Sequence, residues 1–166
     1  MNDKDLFLLL ASLTDAYVNK ALIKRLYNLS ENFLDLFSNN LNDFKTKITT
    51  EEVQKLHEVK NKIKALDLSN IKRALDKKNI QFLALCEKEY PDKLKEIDDP
   101  PPGLFYKGNP GILNNLKTVA IVGTRAATNY GINISKKIAS LLAKENIAIV
   151  SGLASGIDTS AHIGAL

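Results

Sequence analysis

The chain has 166 residues, 45% of them hydrophobic and 25% charged, a composition that excludes disordered, collagen-like and disulfide-stapled classes and leaves one good core or two small ones. Its formal charge of +4 is unevenly placed: residues 1–99 hold 17 basic and 17 acidic side chains, whereas residues 100–166 hold six and two. All eight glycines lie after residue 102 and four of the five prolines between 100 and 110, so the chain reads as two unlike parts.

The apolar run Leu6–Leu13 follows Asp3, Lys4 and Asp5 instead of a basic segment, so it reads as a buried helix and not as a signal peptide. No run approaches the roughly 18 apolar residues of a membrane span. Cys86 has no second cysteine to pair with and no histidine close in sequence. It reads as core filling in a reducing cytoplasm, with no metal site implied.

Residues 5–78 read as four or five short helices. Leu6, Leu9, Leu10 and Leu13 form one stripe, Val18, Leu22, Ile23 and Leu26 a second, and Phe33, Leu34 and Phe37 a third, with breaks at Thr14-Asp15 and Leu29-Ser30. Thr49-Thr50-Glu51-Glu52 fits a capping box. The helix it opens carries Val53, Leu56, Val59, Ile63 and Leu66 on one face. Base is balanced by acid here and no Gly-rich hairpin is present to meet phosphate, so this part reads as a scaffold or a protein-docking module, with His57 on its surface.

From Asn79 the period changes. Ile80–Cys86 reads as a strand, Tyr90-Pro91 opens a helical turn, Asp98–Gly103 is a stiff connector, and Leu104–Tyr106 is a short strand before the turn residues 108–111. Thr118–Val122 and Ile147–Val150 are continuous apolar runs of the kind buried on both faces of a parallel sheet. Between them a helix is expected from Thr128 or Asn129 to Lys144, with Ile134, Ile138, Leu141 and Leu142 as its apolar face; another helix is expected near Ile157. The pattern predicts parallel strands joined by a right-handed crossover.

In that arrangement the turns Gly123-Thr124-Arg125 and Ser151–Gly156 emerge at one carboxyl edge, beside helix amino termini that suit an anion. Gly123, Gly152 and Gly156 allow close approach to the backbone. Arg125 offers a fork of donors for a phosphate, and Thr124, Ser151 and Ser155 offer hydroxyls. The alternative is that the glycines only make tight turns and Arg125 covers a helix end. Neither turn matches the dinucleotide or P-loop signature. Asp158 reads as an acid complementing a helix amino terminus, with His162 four residues on as a remote acid/base partner.

Val119–Arg125, Tyr130-Gly131, Ser151–Asp158 and Ala161-His162, together with Tyr90-Pro91 and the Pro-Pro-x-Leu-Phe-x-x-Gly stretch at 101–108, resemble the DNA-processing protein A family, also called DprA or Smf. The resemblance implies an α/β fold: a helical, SAM-like domain over residues 1–78, then the first part of a Rossmann-like domain over 79–166, an incomplete parallel sheet. It further implies a cytoplasmic, non-catalytic homodimer that binds incoming single-stranded DNA in natural transformation and loads it with the RecA recombinase, without a cofactor. The family usually reads Gly-Ser-Arg where this chain has Gly123-Thr124-Arg125. Carried over, Arg125 holds a DNA phosphate, and Gly123, Thr124, Ser151, Gly152, Ala154, Ser155 and Gly156 line the pocket. Lys136 and Lys137 extend the positive field or form a solvated helix face. The family's domain continues past Leu166, so the chain is expected to be a fragment whose dimer and recombinase surfaces lie beyond that residue. The competing reading is a nucleotide or nucleoside-phosphate hydrolase using the same phosphate site through Asp158 or His162.

Overall fold

A computed structural model describes residues 2–13, 20–29 and 49–166. They form two compact units, residues 1–110 and 111–166. The expected stripe at Phe33–Phe37, the breaks at Thr14-Asp15 and Ser30, and Val18 lie outside the described residues.

The first unit contains helices α1 (Asp3–Ser12), α2 (Lys20–Leu29), α3 (Thr50–Lys64) and α4 (Leu68–Lys77), then strand β1 (Gln81–Ala84), the short helix α5 (Asp92–Lys95) and strand β2 (Gly103–Tyr106). Leu6, Phe7, Leu8, Leu9 and Leu10 of α1 are all buried. Five consecutive apolar residues cover every side of the helix over that stretch, which places it inside a core. Around it lie the expected faces Leu22, Ile23 and Leu26 of α2 and Leu56, Val59 and Ile63 of α3. The predicted capping box opens α3: the Thr49 hydroxyl accepts from the Glu52 amide at 3.3 Å, and Glu52 accepts from the Thr49 amide at 2.7 Å. The other carboxylate oxygen of Glu52 pairs with Arg25 of α2 at 2.7 Å. A second ion pair, Lys72 to Asp5 at 2.6 Å, joins α4 to α1.

Helix α4 ends on Asn79 at φ +51°, whose amide donates to Asp76, while the Ile80 amide donates to Leu75. This is the helix stop usually built on glycine, here made by asparagine. It turns the chain directly into β1, which pairs antiparallel with β2 in the register Phe82↔Phe105 and Leu83↔Leu104.

The compact units divide after Pro110, so the hairpin β1–β2 groups with the helices of the first unit. The reason is packing: Phe82, Leu83, Leu85 and Tyr90 share one core with Leu6–Leu10, and α1 lies against both strands. The proline run is tied down within the same unit. The Leu85 amide donates to Pro102 at 3.0 Å, and the Tyr90 hydroxyl, fully buried, donates to Pro101 at 2.9 Å. Burial pushes that phenol up to about 12. Cys86 packs half-buried against this core, and burial raises its thiol.

The second unit contains α6 (Ile112–Asn115), β3 (Lys117–Ala120), α7 (Asn129–Lys144), β4 (Ile147–Val150) and α8 (Ile157–Ala165). Strands β3 and β4 are parallel, as predicted, with Lys117 opposite Ile147 and Ala120 opposite Val150. Together the two units make an α/β fold with a partial parallel sheet. Thr128 caps α7 by accepting from the Gly131 amide at 3.2 Å.

Two packing expectations are corrected. The buried positions of α7 are Ser135 and Ala139, whereas Ile134, Ile138 and Leu141 are exposed and Leu142 is half-buried. The small residues win because α8 approaches α7 very closely: a Cβ on Gly164 would overlap the backbone of Lys136. The strands are also only partly covered, with Ala120 of β3 and Val150 of β4 exposed.

Three stability outcomes follow. Replacing Thr49 by Ala removes one half of the capping box and is expected to cost about 1 kcal/mol in denaturant unfolding. The Thr49 amide, and then Arg25, hold the Glu52 carboxyl below its ordinary 4.5. Its contribution is therefore complete above pH 4.5 and lost as the pH falls below it, and the melting temperature of Glu52→Gln should lose its difference from the parent over that window. Gly164→Ala pushes backbone against backbone, where no rotamer change relieves it, and should cost roughly 1–3 kcal/mol in urea unfolding of the second unit.

Candidate nucleic-acid interface

Parallel pairing of β3 and β4 brings the following turns out side by side. The Ile121 amide donates to Val150 at 3.1 Å, and the Ser151 hydroxyl donates back to the Ile121 carbonyl at 2.6 Å. The turns touch again further out, where the Ile157 amide donates to Thr124 at 3.2 Å. Gly156 makes this contact possible. Its φ of +89° and ψ of −125° suit only glycine, and a Cβ there would overlap the backbone of Thr124 and Arg125.

Beneath both turns sits Asp158, 7% exposed, at the second position of α8. One of its oxygens accepts from the Gly123 amide and the other from the Gly152 amide, each at 3.2 Å. Two backbone donors and the positive end of α8 compensate the buried charge. Sequence reasoning placed Asp158 at a helix amino terminus and missed this second role. The available signal was a short carboxylate two residues after Gly156, within reach of both turns. The loop is further fixed by hydroxyls: Thr159 donates to Ala154 at 2.6 Å, Ser160 to Gly156 at 2.7 Å and Ser135 of α7 to Ile157 at 3.1 Å. Leu153, at φ +56° and 71% exposed, is held in a left-handed conformation that costs a side-chain-bearing residue about 1–2 kcal/mol.

The predicted site residues thus have different positions. Gly123, Thr124, Arg125, Ser151, Gly152, Ala154, Ser155 and Gly156 form one continuous edge. Within it the amides of Gly123 and Gly152 face the Asp158 carboxylate, the Ser151 hydroxyl is committed to Ile121, and the Thr124 hydroxyl accepts from the Ala126 amide at 3.2 Å. Arg125 and Ser155 are exposed. Lys136 and Lys137 lie elsewhere: Lys136 packs its backbone against Gly164, at the opposite end of α8 from Gly156. Eight residues of helix separate those ends, about 12 Å.

Among the described residues no group of histidine, cysteine or acidic side chains could hold a metal ion, and no helix is long and apolar enough to cross a membrane. Chemically, the edge offers a guanidinium, hydroxyls and backbone on a rigid base, a set suited to holding an anion.

Residues 81–166 match the sequence profile of the family described as DNA recombination-mediator protein A. Protein Smf of Borreliella burgdorferi is 32% identical over 139 residues, covering 80% of this chain and 44% of that protein. DNA processing protein DprA of Bacillus subtilis is 34% identical over 121 residues, 72% of this chain and 40% of that protein. The X-ray structure of DNA processing protein A (DprA) from Streptococcus pneumoniae superposes with a TM-score of 0.66 at 27% identity, over 99% of this chain and 54% of that one. The chain spans less than half the length of these two sequence relatives. With the profile covering both turns and their strands, the chain belongs to the DNA recombination-mediator protein A family.

Proposed function

We propose that the carboxyl edge of β3 and β4 binds single-stranded DNA through its phosphates, as part of the recombination-mediating work of a longer protein. The observation that carries this reading is the joining of two turns into one rigid edge that leaves Arg125 exposed, in the half of the chain that carries the whole net positive charge. Similarity to the DNA processing protein DprA of Bacillus subtilis and to that of Streptococcus pneumoniae supports a role in DNA processing. In the longer protein the strand is incoming DNA in natural transformation, bound in the cytoplasm by a homodimer and passed to the RecA recombinase. Lys136 and Lys137 lengthen the positive track away from the turns.

The role is binding without bond cleavage. Both oxygens of Asp158 accept from backbone amides of the two turns, an arrangement that gives this carboxylate a structural task within the edge. His162 sits four residues further along α8, half-buried.

Arg125 is exposed, so Arg125→Ala leaves folding intact while removing one phosphate contact. Affinity for oligo-dT, read by fluorescence anisotropy, should fall about tenfold, equally for other base sequences, and the slope of log affinity against log salt should shrink by about 0.7. Unchanged affinity and slope would remove Arg125 from the interface, and turnover of a small nucleotide dependent on Asp158 would replace binding by hydrolysis.

A further inference from the structure

We infer that Asp158 is a positioning residue: its carboxylate couples the turn after β3 to the turn after β4 and so presents Arg125 to DNA, an inference that rests on the single-stranded DNA reading above. Gly123 and Gly152 lie in turns that follow different strands, yet the two oxygens of one buried side chain hold their amides at equal distances of 3.2 Å. The backbone of Asp158 is fixed on both sides, by the Ile157 amide on Thr124 and by the Thr159 and Ser160 hydroxyls on Ala154 and Gly156. Neither turn can shift without disturbing the other.

This arrangement reverses a simple expectation about glycine turns. The two glycine amides do not cradle the phosphate, because a carboxylate of this chain already occupies them. Contact with DNA comes from the exposed side chains of the clamped turns, the Arg125 guanidinium above all, with Ser155 also exposed.

Charge and position make opposite demands at residue 158. Asp158→Asn removes a negative charge close to the DNA phosphates, and by Coulomb's law alone it tightens binding. It also puts an amide nitrogen where an oxygen accepted a backbone N–H, so one of the two clamp bonds is lost. Positioning predicts that the second effect wins. Gly152→Ala tests the same bond without changing any charge, since its methyl would press on the Asp158 carboxylate at 3.0 Å.

The experiment uses the full chain and the variants Asp158→Asn, Gly152→Ala and their combination, with two readouts: amide hydrogen exchange at Gly123 and Gly152, and oligo-dT affinity as a function of salt. Asp158→Asn should speed exchange at both glycines and weaken binding roughly five- to thirtyfold with the salt slope unchanged. Gly152→Ala should act in the same sense, reach across to speed exchange at Gly123, and add nothing to Asp158→Asn in the double variant. Equal or tighter binding by Asp158→Asn, or Gly123 exchange unaffected by Gly152→Ala, would overturn the inference. Failure of the unmodified chain to bind oligo-dT would instead reject the DNA reading, while exchange at Gly123 still decides the clamp.

Discussion

The Asp158 carboxylate accepts from the amides of Gly123 and Gly152, and through that pair of bonds two turns on different strands become one surface. Parallel pairing of β3 and β4 sets the turns next to each other, but pairing alone leaves the loops beyond the strand ends free to move. The carboxylate, the absence of a side chain at Gly156 and the hydroxyl bonds of Ser135, Ser151, Thr159 and Ser160 remove that freedom. A buried charge is tolerable there because backbone donors and the α8 amino terminus surround it. The left-handed Leu153 persists in a loop so constrained.

Rigidity of the base matters for the proposed phosphate contact, which would be electrostatic and local. A guanidinium on a moving loop would give up side-chain and backbone entropy on meeting a phosphate; one projected from a fixed turn gives up less. The close seam between α7 and α8 belongs to the same argument. Small residues at Ser135, Ala139, Ala161 and Gly164 let the helices approach, and Ser135 reaches across to Ile157, next to the carboxylate.

Much of this was legible in the residues. Strand-turn-helix patterns located β3, α7, β4 and α8, and the capping box at Thr49 and the Thr128 cap emerged where local chemistry required them. What escaped was decided by contacts between segments distant in sequence. The apolar stripe Ile134, Ile138 and Leu141 has the period of a core face, yet close approach of a small-residue helix buried the other side of α7. The hairpin β1–β2 reads locally like the start of the α/β region, but Phe82 and Tyr90 fill the core around α1. Glycine counting led toward phosphate at Gly123 and Gly152 because nothing in their own turns shows that an acid from the next helix reaches their amides. Asn79 and Asn146, each in the left-handed region at a helix end, fill a position where glycine is common.

The first unit has its own logic: a nearly balanced charge, a core around the apolar run Leu6–Leu10 of α1, and ion pairs such as Lys72 with Asp5 that join its elements. Most of the excess positive charge lies in the second unit, with five basic and two acidic side chains over residues 111–166, which is why DNA binding is proposed there. The most direct measurement is an amide chemical-shift titration of the isotope-labelled chain with oligo-dT. The account predicts the largest shifts at Thr124–Ala126 and Ser155, with the Gly123 and Gly152 amides keeping their slow exchange because Asp158 stays in place. Shifts centred in residues 1–110, or loss of protection at both glycines as phosphate displaces the carboxylate, would contradict it.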